Sequence, residues 1–233
     1  MERQSFPTVD GERIGWITER DMVEVDRIMI DDLHIELLQM MENAGRNLAR
    51  LVLDLAAPRS VVVAAGSGGN GGGGLVAARH LTNAGVDVTV TMSRPPHQLT
   101  GVTAHQHDIL QRMGVAMSTQ LSDADVTIDA VIGYSLRGAP RGASAALVKA
   151  LSSAPFVVAL DTPSGLDVTT GEAPGVAVSA TATMTLALPK IGLRTAPQVG
   201  DLYLADISVP ASVAAAFGPT APDFSPGSIL AVV

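Results

Sequence analysis

Hydrophobic positions along this chain recur first with a helical period and then, past Pro58, in short β-branched runs divided by helix-spaced segments. Thr18-Glu-Arg-Asp21 reads as a helix start, a cap residue with acids in the first turn, and Met22, Val25 and Met29 then fall on one face. Leu37, Met40, Met41, Ala44, Leu48 and Leu51 recur at three and four, which predicts a second helix over about Glu36 to Leu55, stopped at Ala57-Pro58. Ser60–Ala65, Asp87–Met92, Val126–Ile132, Pro155–Leu160, Thr181–Leu188 and Leu202–Asp206 read as strands. Helical segments at Leu75–Ala84, Thr103–Arg112 and Gly142–Ser152 separate the earlier ones. That alternation predicts βαβ units, hence a mainly parallel sheet covered on both faces.

Length and composition narrow the class. A chain of 233 residues is ample for one domain, residues 1–233, with a helical prelude over about 17–56, a core over about 60–210 and an irregular Pro/Gly-rich tail. A net charge of −8 argues against nucleic acid as a partner. The lack of cysteine excludes disulfides, thiolate metal sites and cysteine nucleophiles. The polar start MERQSFPTVDGERIG has no apolar signal core, and no stretch approaches the roughly twenty apolar residues of a membrane span. A soluble, cytoplasmic protein without membrane contact is expected.

The densest feature is Gly66-Ser-Gly-Gly-Asn-Gly-Gly-Gly-Gly74, seven glycines in nine positions between a strand and a helix. A plain turn needs one or two. Glycines let backbone N–H groups approach a ligand, and a helix start offers unpaired donors and a positive dipole end, so an anion such as phosphate is the expected guest. The segment also satisfies G-x-G-x-x-G, but any glycine-saturated loop would. The acid expected at the next strand end of a dinucleotide site is replaced by Met92-Ser93-Arg94, a set suited to a 2′-phosphate, which keeps an NADP-dependent oxidoreductase as an alternative.

Two more strands end in unusual loops. Asp129 precedes Gly133-Tyr-Ser-Leu-Arg-Gly-Ala-Pro-Arg-Gly142, and Asp161 opens Asp161-Thr-Pro-Ser-Gly-Leu-Asp167. In a parallel sheet all three loops share one edge, which brings Asn70, Asp129, Asp161 and Ser164 into one neighbourhood. A single strand-end Asp is ordinarily a turn former. Grouped, these oxygens suit a hard cation, and a carboxylate among them suits proton transfer. His105 and His107 are two apart and point to different sides of a helix, which argues against zinc; His80 reads as structural. Ser164 lacks the G-x-S-x-G elbow of hydrolases, and the chain has no Gly-Lys-Ser/Thr phosphate loop.

Several ordered motifs resemble the YjeF N-terminal domain family, whose enzymatic members are NAD(P)H-hydrate epimerases. They are Met41-Glu-Asn-Ala-Gly45, the glycine segment from Gly66 to Leu81, Ile128 to Gly142, Asp161–Asp167 and Pro189–Leu193, and the likeness runs from Ile17 to about Pro210. The resemblance implies a Rossmann-like three-layer αβα sandwich with an N-terminal helical extension, commonly a homodimer. It implies epimerisation of the R and S forms of hydrated NADH and NADPH (NADHX and NADPHX), in concert with a separate dehydratase that takes only the S form. By residue matching it implies potassium held by Asn70, Asp129 and Ser164, and Asp161 as the acid–base group. Substrate would meet Gly69, Asn70, Gly71, Gly72 and Gly73 on one loop. It would meet Gly133, Tyr134, Ser135, Leu136, Arg137, Gly138 and Ala139 on the next, together with Asp161. The family's N-N-G-G-D is here Gly69-Asn-Gly-Gly-Gly73, so one Asn and the Asp are absent. A degenerate nucleotide-binding domain therefore stands as the alternative to an epimerase. Lys190 is open to two readings, a phosphate partner or a solvated surface lysine.

Overall fold

The structure is a computed structural model that describes residues 6–233. The first five residues of the polar N-terminal run lie outside the described residues. In chain order the strands are β1 (Thr8–Val9), β2 (Ser60–Ala65), β3 (Asp87–Met92), β4 (Ala116–Ser118) and β5 (Val126–Ala130). They continue with β6 (Val157–Leu160), β7 (Ala182–Leu186), β8 (Asp201–Ala205) and β9 (Ile229–Val232). The helices are α1 (Glu19–Arg27), α2 (Leu37–Ala56), α3 (Gly69–Asn83), α4 (Gly101–Arg112), α5 (Gly142–Leu151) and α6 (Ala211–Ala214).

The strands form one sheet in the order β1-β9-β8-β7-β6-β5-β2-β3-β4, and only β8 and β9 pair antiparallel. The chain runs from β2 outward to β3 and β4, then returns to β5 on the other side of β2. That reversal is a topological switch point, where ligands bind in open parallel sheets. The two sheet faces separate by residue parity. Val61, Val63 and Ala65 join the core built with α2 and α3, whereas Ala64 joins Leu147, Val148 and Leu151 of α5. The expected α/β sandwich is the observed fold.

Local chemistry accounts for the helix ends. The Thr18 hydroxyl accepts the Asp21 N–H at 3.3 Å and Asp21 accepts the Thr18 N–H at 2.9 Å, a capping box that starts α1 as expected. After Arg27 the helix widens into a π turn over Ile28–Asp32. Helix α2 ends where Ala57 turns left-handed, φ 44°. The tail, expected to be irregular, instead carries α6 and returns as β9 between β8 and β1, because Ile229 and Leu230 fill the otherwise open flank of β8.

The largest difference from expectation concerns the glycines. Helix α3 begins at Gly69, not Leu75, so six residues assigned to a loop are helical. The reason is crowding. A Cβ on Gly71 would lie 2.0 Å from the Gly66 carbonyl oxygen, and one on Gly74 would lie 2.4 Å from Ala130 Cβ. Gly45 of α2 has the same role at the helix crossing, where a Cβ would come within 2.4 Å of Val76 Cβ and 2.6 Å of the Gly73 carbonyl. Gly45→Ala should therefore cost about 1–3 kcal/mol of stability, the usual cost of overpacking, read from chemical denaturation.

Candidate functional site

The switch point holds a cavity of about 410 Å³ whose wall includes Gly68, Gly69, Asn70, Gly133, Tyr134, Ser135 and Asp161. Three strand ends therefore meet in it, those of β2, β5 and β6. The loops are in direct contact. Gly66 N–H donates to the Ala130 carbonyl at 3.0 Å, and a Cβ on Gly66 would strike the Val131 carbonyl at 2.0 Å. Thr103 of α4 braces the glycine segment by donating to the Gly68 carbonyl at 2.8 Å.

Of the predicted contacts on that segment, Gly69 and Asn70 face the cavity. Gly71 abuts Gly66, Gly72 abuts Val102 and Thr103, and Gly73 abuts Leu160 and Met41. From Gly72 onward the amides enter the helix ladder, with Gly72 N–H on the Gly68 carbonyl at 3.1 Å. Donors for an anion are thus confined to the first turn, where Gly68 and Gly69 have open space around them. On the second loop Gly133, Tyr134 and Ser135 reach the cavity. Leu136, Gly138 and Ala139 are outside its wall, and Arg137 turns to Glu19 of α1 at 3.2 Å.

Asp129 and Ser164 form a buried unit beneath the cavity. One Asp129 oxygen accepts the Ser164 N–H at 2.7 Å; the other accepts the Ser164 hydroxyl at 2.6 Å and the Val131 N–H at 3.2 Å. Burial pushes the Asp129 carboxyl up to about 6 despite these donors. Ser164 Oγ also accepts the Ile132 N–H at 2.8 Å, and Asn70 packs against the next residue, Gly133. Asn70 Nδ2 is buried without a hydrogen-bond partner. Its amide can turn to present oxygen instead. Ser164 meets Ile132, Asn70 meets Gly133 and Asp129 is bonded to Ser164, which gathers a hard-oxygen donor set with an unsatisfied amide that fits a monovalent cation.

Asp161 stands at the end of β6 with φ 68°, a left-handed conformation uncommon outside glycine. Its Oδ2 accepts the Tyr134 N–H at 3.1 Å and its Oδ1 accepts Lys190 Nζ at 2.5 Å. Lys190 has no exposed surface, which rules out the solvated-lysine reading. Its ammonium also donates to the Leu186 carbonyl at 2.9 Å and Thr185 Oγ1 at 3.3 Å. A buried cation so satisfied fixes the rotamer of the aspartate side chain.

The helical prelude closes the cavity with residues that the strand-end argument did not include: Met22, Asp26, Leu37, Met40 and Met41. Asp26 accepts the Tyr134 hydroxyl at 2.5 Å. Its signal was an acid four residues after Met22, on the apolar stripe of α1. His80 is structural as expected, bonding Glu42 at 2.8 Å, and Arg79 pairs with the same carboxylate. A larger cavity of about 530 Å³ lies by α5 and the end of β3; among the described residues Asp123 is the one ionisable residue on its wall. Ser93 belongs to that second wall and Arg94 is exposed, so neither reaches the switch-point cavity. Among the described residues no group of three or more His, Cys, Asp or Glu could hold a metal, and no helix is long and apolar enough to cross a membrane.

Residues 37–192 match the family described as YjeF-related protein N-terminus. An NAD(P)H-hydrate epimerase of Dehalogenimonas lykanthroporepellens is 43% identical over 218 residues, 89% of this chain and 88% of that protein. A bifunctional NAD(P)H-hydrate repair enzyme of Hyperthermus butylicus is 40% identical over 215 residues, which are 85% of this chain and 40% of that longer protein. In fold, the crystal structure of yeast ynu0 superposes with a TM-score of 0.81 at 23% identity, covering 93% of this chain and 99% of that one. With the family match spanning most of the chain and a near full-length relative at 43% identity, this protein belongs to the YjeF-related N-terminal domain family.

Proposed function

We propose that this protein is an NAD(P)H-hydrate epimerase, interconverting the R and S forms of hydrated NADH and NADPH. The observation that carries this reading is the Asp161 carboxylate, charge-paired to buried Lys190, facing a cavity bordered by the open first turn of α3. The substrate's diphosphate would meet the free amides of that turn, and its hydrated ring would meet Asp161. Epimerisation breaks the bond between ring carbon and hydroxyl oxygen and remakes it on the other face. The departing oxygen takes a proton and the returning water gives one up, so a positioned acid–base group is the main requirement.

Asn70, Asp129 and Ser164 would hold potassium, which when bound would supply a positive charge beside the buried Asp129 carboxylate. The bifunctional relatives support a working link to a dehydratase. Assembly as a homodimer belongs to the same reading and rests on the resemblance alone; a cytoplasmic location rests on the chain's composition. The test supplies an S-specific dehydratase with mixed NADHX. Alone it should stop when the S form is gone; with this protein it should run to completion, and more slowly in potassium-free buffer. A reaction that still halts at the S fraction would reject the epimerase, and indifference to potassium would reject the cation.

A further inference from the structure

Tyr134 connects two carboxylates that line the same cavity. Its backbone N–H donates to Asp161 at 3.1 Å, and its hydroxyl donates to Asp26 of α1 at 2.5 Å. The two acids therefore stand about a tyrosine side chain apart, one at the end of β6 and one on the helical prelude, and all three residues are on the cavity wall. Their surroundings differ. Lys190 pairs with Asp161 by direct contact, whereas Asp26 meets a neutral phenol and is half-buried. Burial raises the Asp26 carboxyl above its ordinary value and also raises the Tyr134 phenol, which therefore keeps its proton at neutral pH. Two acids placed in unlike environments around one cavity is the arrangement by which paired acid and base roles are assigned.

We infer that the Tyr134 hydroxyl, backed by Asp26, is a second acid–base group of this site and serves the face of the substrate ring opposite the one served by Asp161. The inference rests on the epimerase reading. Inversion at one carbon requires a proton to be given on one face and taken on the other. In one direction a proton that Asp161 has taken up from solvent passes to the leaving oxygen, and the C–O bond breaks to release water and leave the ring as a cation. Water then adds from the opposite face and passes its proton to Tyr134 as the phenol proton moves to Asp26. The reverse reaction exchanges the two roles. No electron is gained or lost, and solvent returns the proton between turnovers. Tyr134 is the catalytic group in this scheme, and Asp26 is a positioning residue that acts through it.

Tyr134→Phe keeps the ring and removes only the hydroxyl. It should lower kcat about 10²-fold or more, the scale of a lost general acid or base, with KM changed only a few-fold. Asp26→Asn should lower kcat and also alter its pH dependence. The wild type should lose activity on the acid side as Asp26 takes up a proton and can no longer accept one from Tyr134; the Asn variant should lack that fall. The charged and titratable groups around this pair are Lys190 and Asp161, and Glu19 on α1, all of which both variants retain. Thermal melts establish that each variant is folded, and Tyr134→Phe carries the test if Asp26→Asn is not. Both variants turning over at the wild-type rate, with Asp161→Asn impaired, would overturn the second group and leave the epimerase standing. A wild type without epimerisation would overturn both.

Discussion

Lys190→Met should be the most damaging single substitution in this site, lowering stability by about 3–5 kcal/mol, the scale for removing one partner of a buried ion pair. Lys190 has no exposed surface and its ammonium makes three contacts, to Asp161, Thr185 and Leu186. Methionine fills much the same volume, so the loss reports charge rather than a cavity. It leaves Asp161, which is 3% exposed, without its counter-ion. The measurement is urea denaturation of a double-mutant cycle. Lys190→Met combined with Asp161→Leu should lose less than the sum of the two single changes, because the pair is then removed whole. Strict additivity would show that the two side chains do not act as a unit.

Asp161→Asn should cost roughly 10²–10⁴ in kcat, the range for a positioned acid–base group. Nucleotide affinity should hold within a few-fold, since the first turn of α3 supplies backbone donors that the substitution leaves in place. The variant stays nearly isosteric and still accepts the Tyr134 N–H through its amide oxygen. Its amide nitrogen then faces Lys190 as donor against donor, so the stability cost should be real but smaller than that of Lys190→Met. Turnover at the wild-type rate would move the chemistry elsewhere in the cavity, with Tyr134 and Asp26 as the groups to examine next.

How much of this was legible beforehand differs by kind of feature. The central strands and long helices were legible because β-branched runs and three–four spacing are direct consequences of burial on a sheet or a helix face. Strands β1 and β4 are two and three residues long and have no periodicity to read, and β9 sits in a segment dominated by proline and glycine. The convergence of Asn70, Asp129, Asp161 and Ser164 followed from parallel topology alone, since β2, β5 and β6 are neighbours with their C-terminal ends at one edge. The glycine segment departs from the expected loop for a physical reason. Glycine is a poor helix former in isolation, and here close packing against Gly66, Ala130 and Gly45 outweighs that propensity. Lys190 could not be placed from sequence, because what buries it is a carboxylate 29 residues away. Asp26 could have been flagged, as an acid on the buried stripe of an amphipathic helix.

The absent family aspartate acquires a structural setting as well. At Gly73 a Cβ would lie 2.8 Å from Leu160 Cδ2 and 3.8 Å from Met41 Sδ, and both of those residues line the cavity. Leu160 thus occupies the space into which a side chain at position 73 would extend. Gly73→Asp must shift the end of that leucine, so a smaller residue at position 160 should favour restoring the carboxylate.

The central claim is that the switch-point cavity inverts the hydrated ring and does not merely bind it. The most direct measurement starts separate reactions from pure R and pure S NADHX without any dehydratase and follows both forms by chromatography. The account predicts that both reactions reach one common R:S ratio, at a rate proportional to enzyme and far above the spontaneous one, and that Asp161→Asn slows the two approaches alike. Ligand binding with both starting forms left to drift at the uncatalysed rate would contradict it.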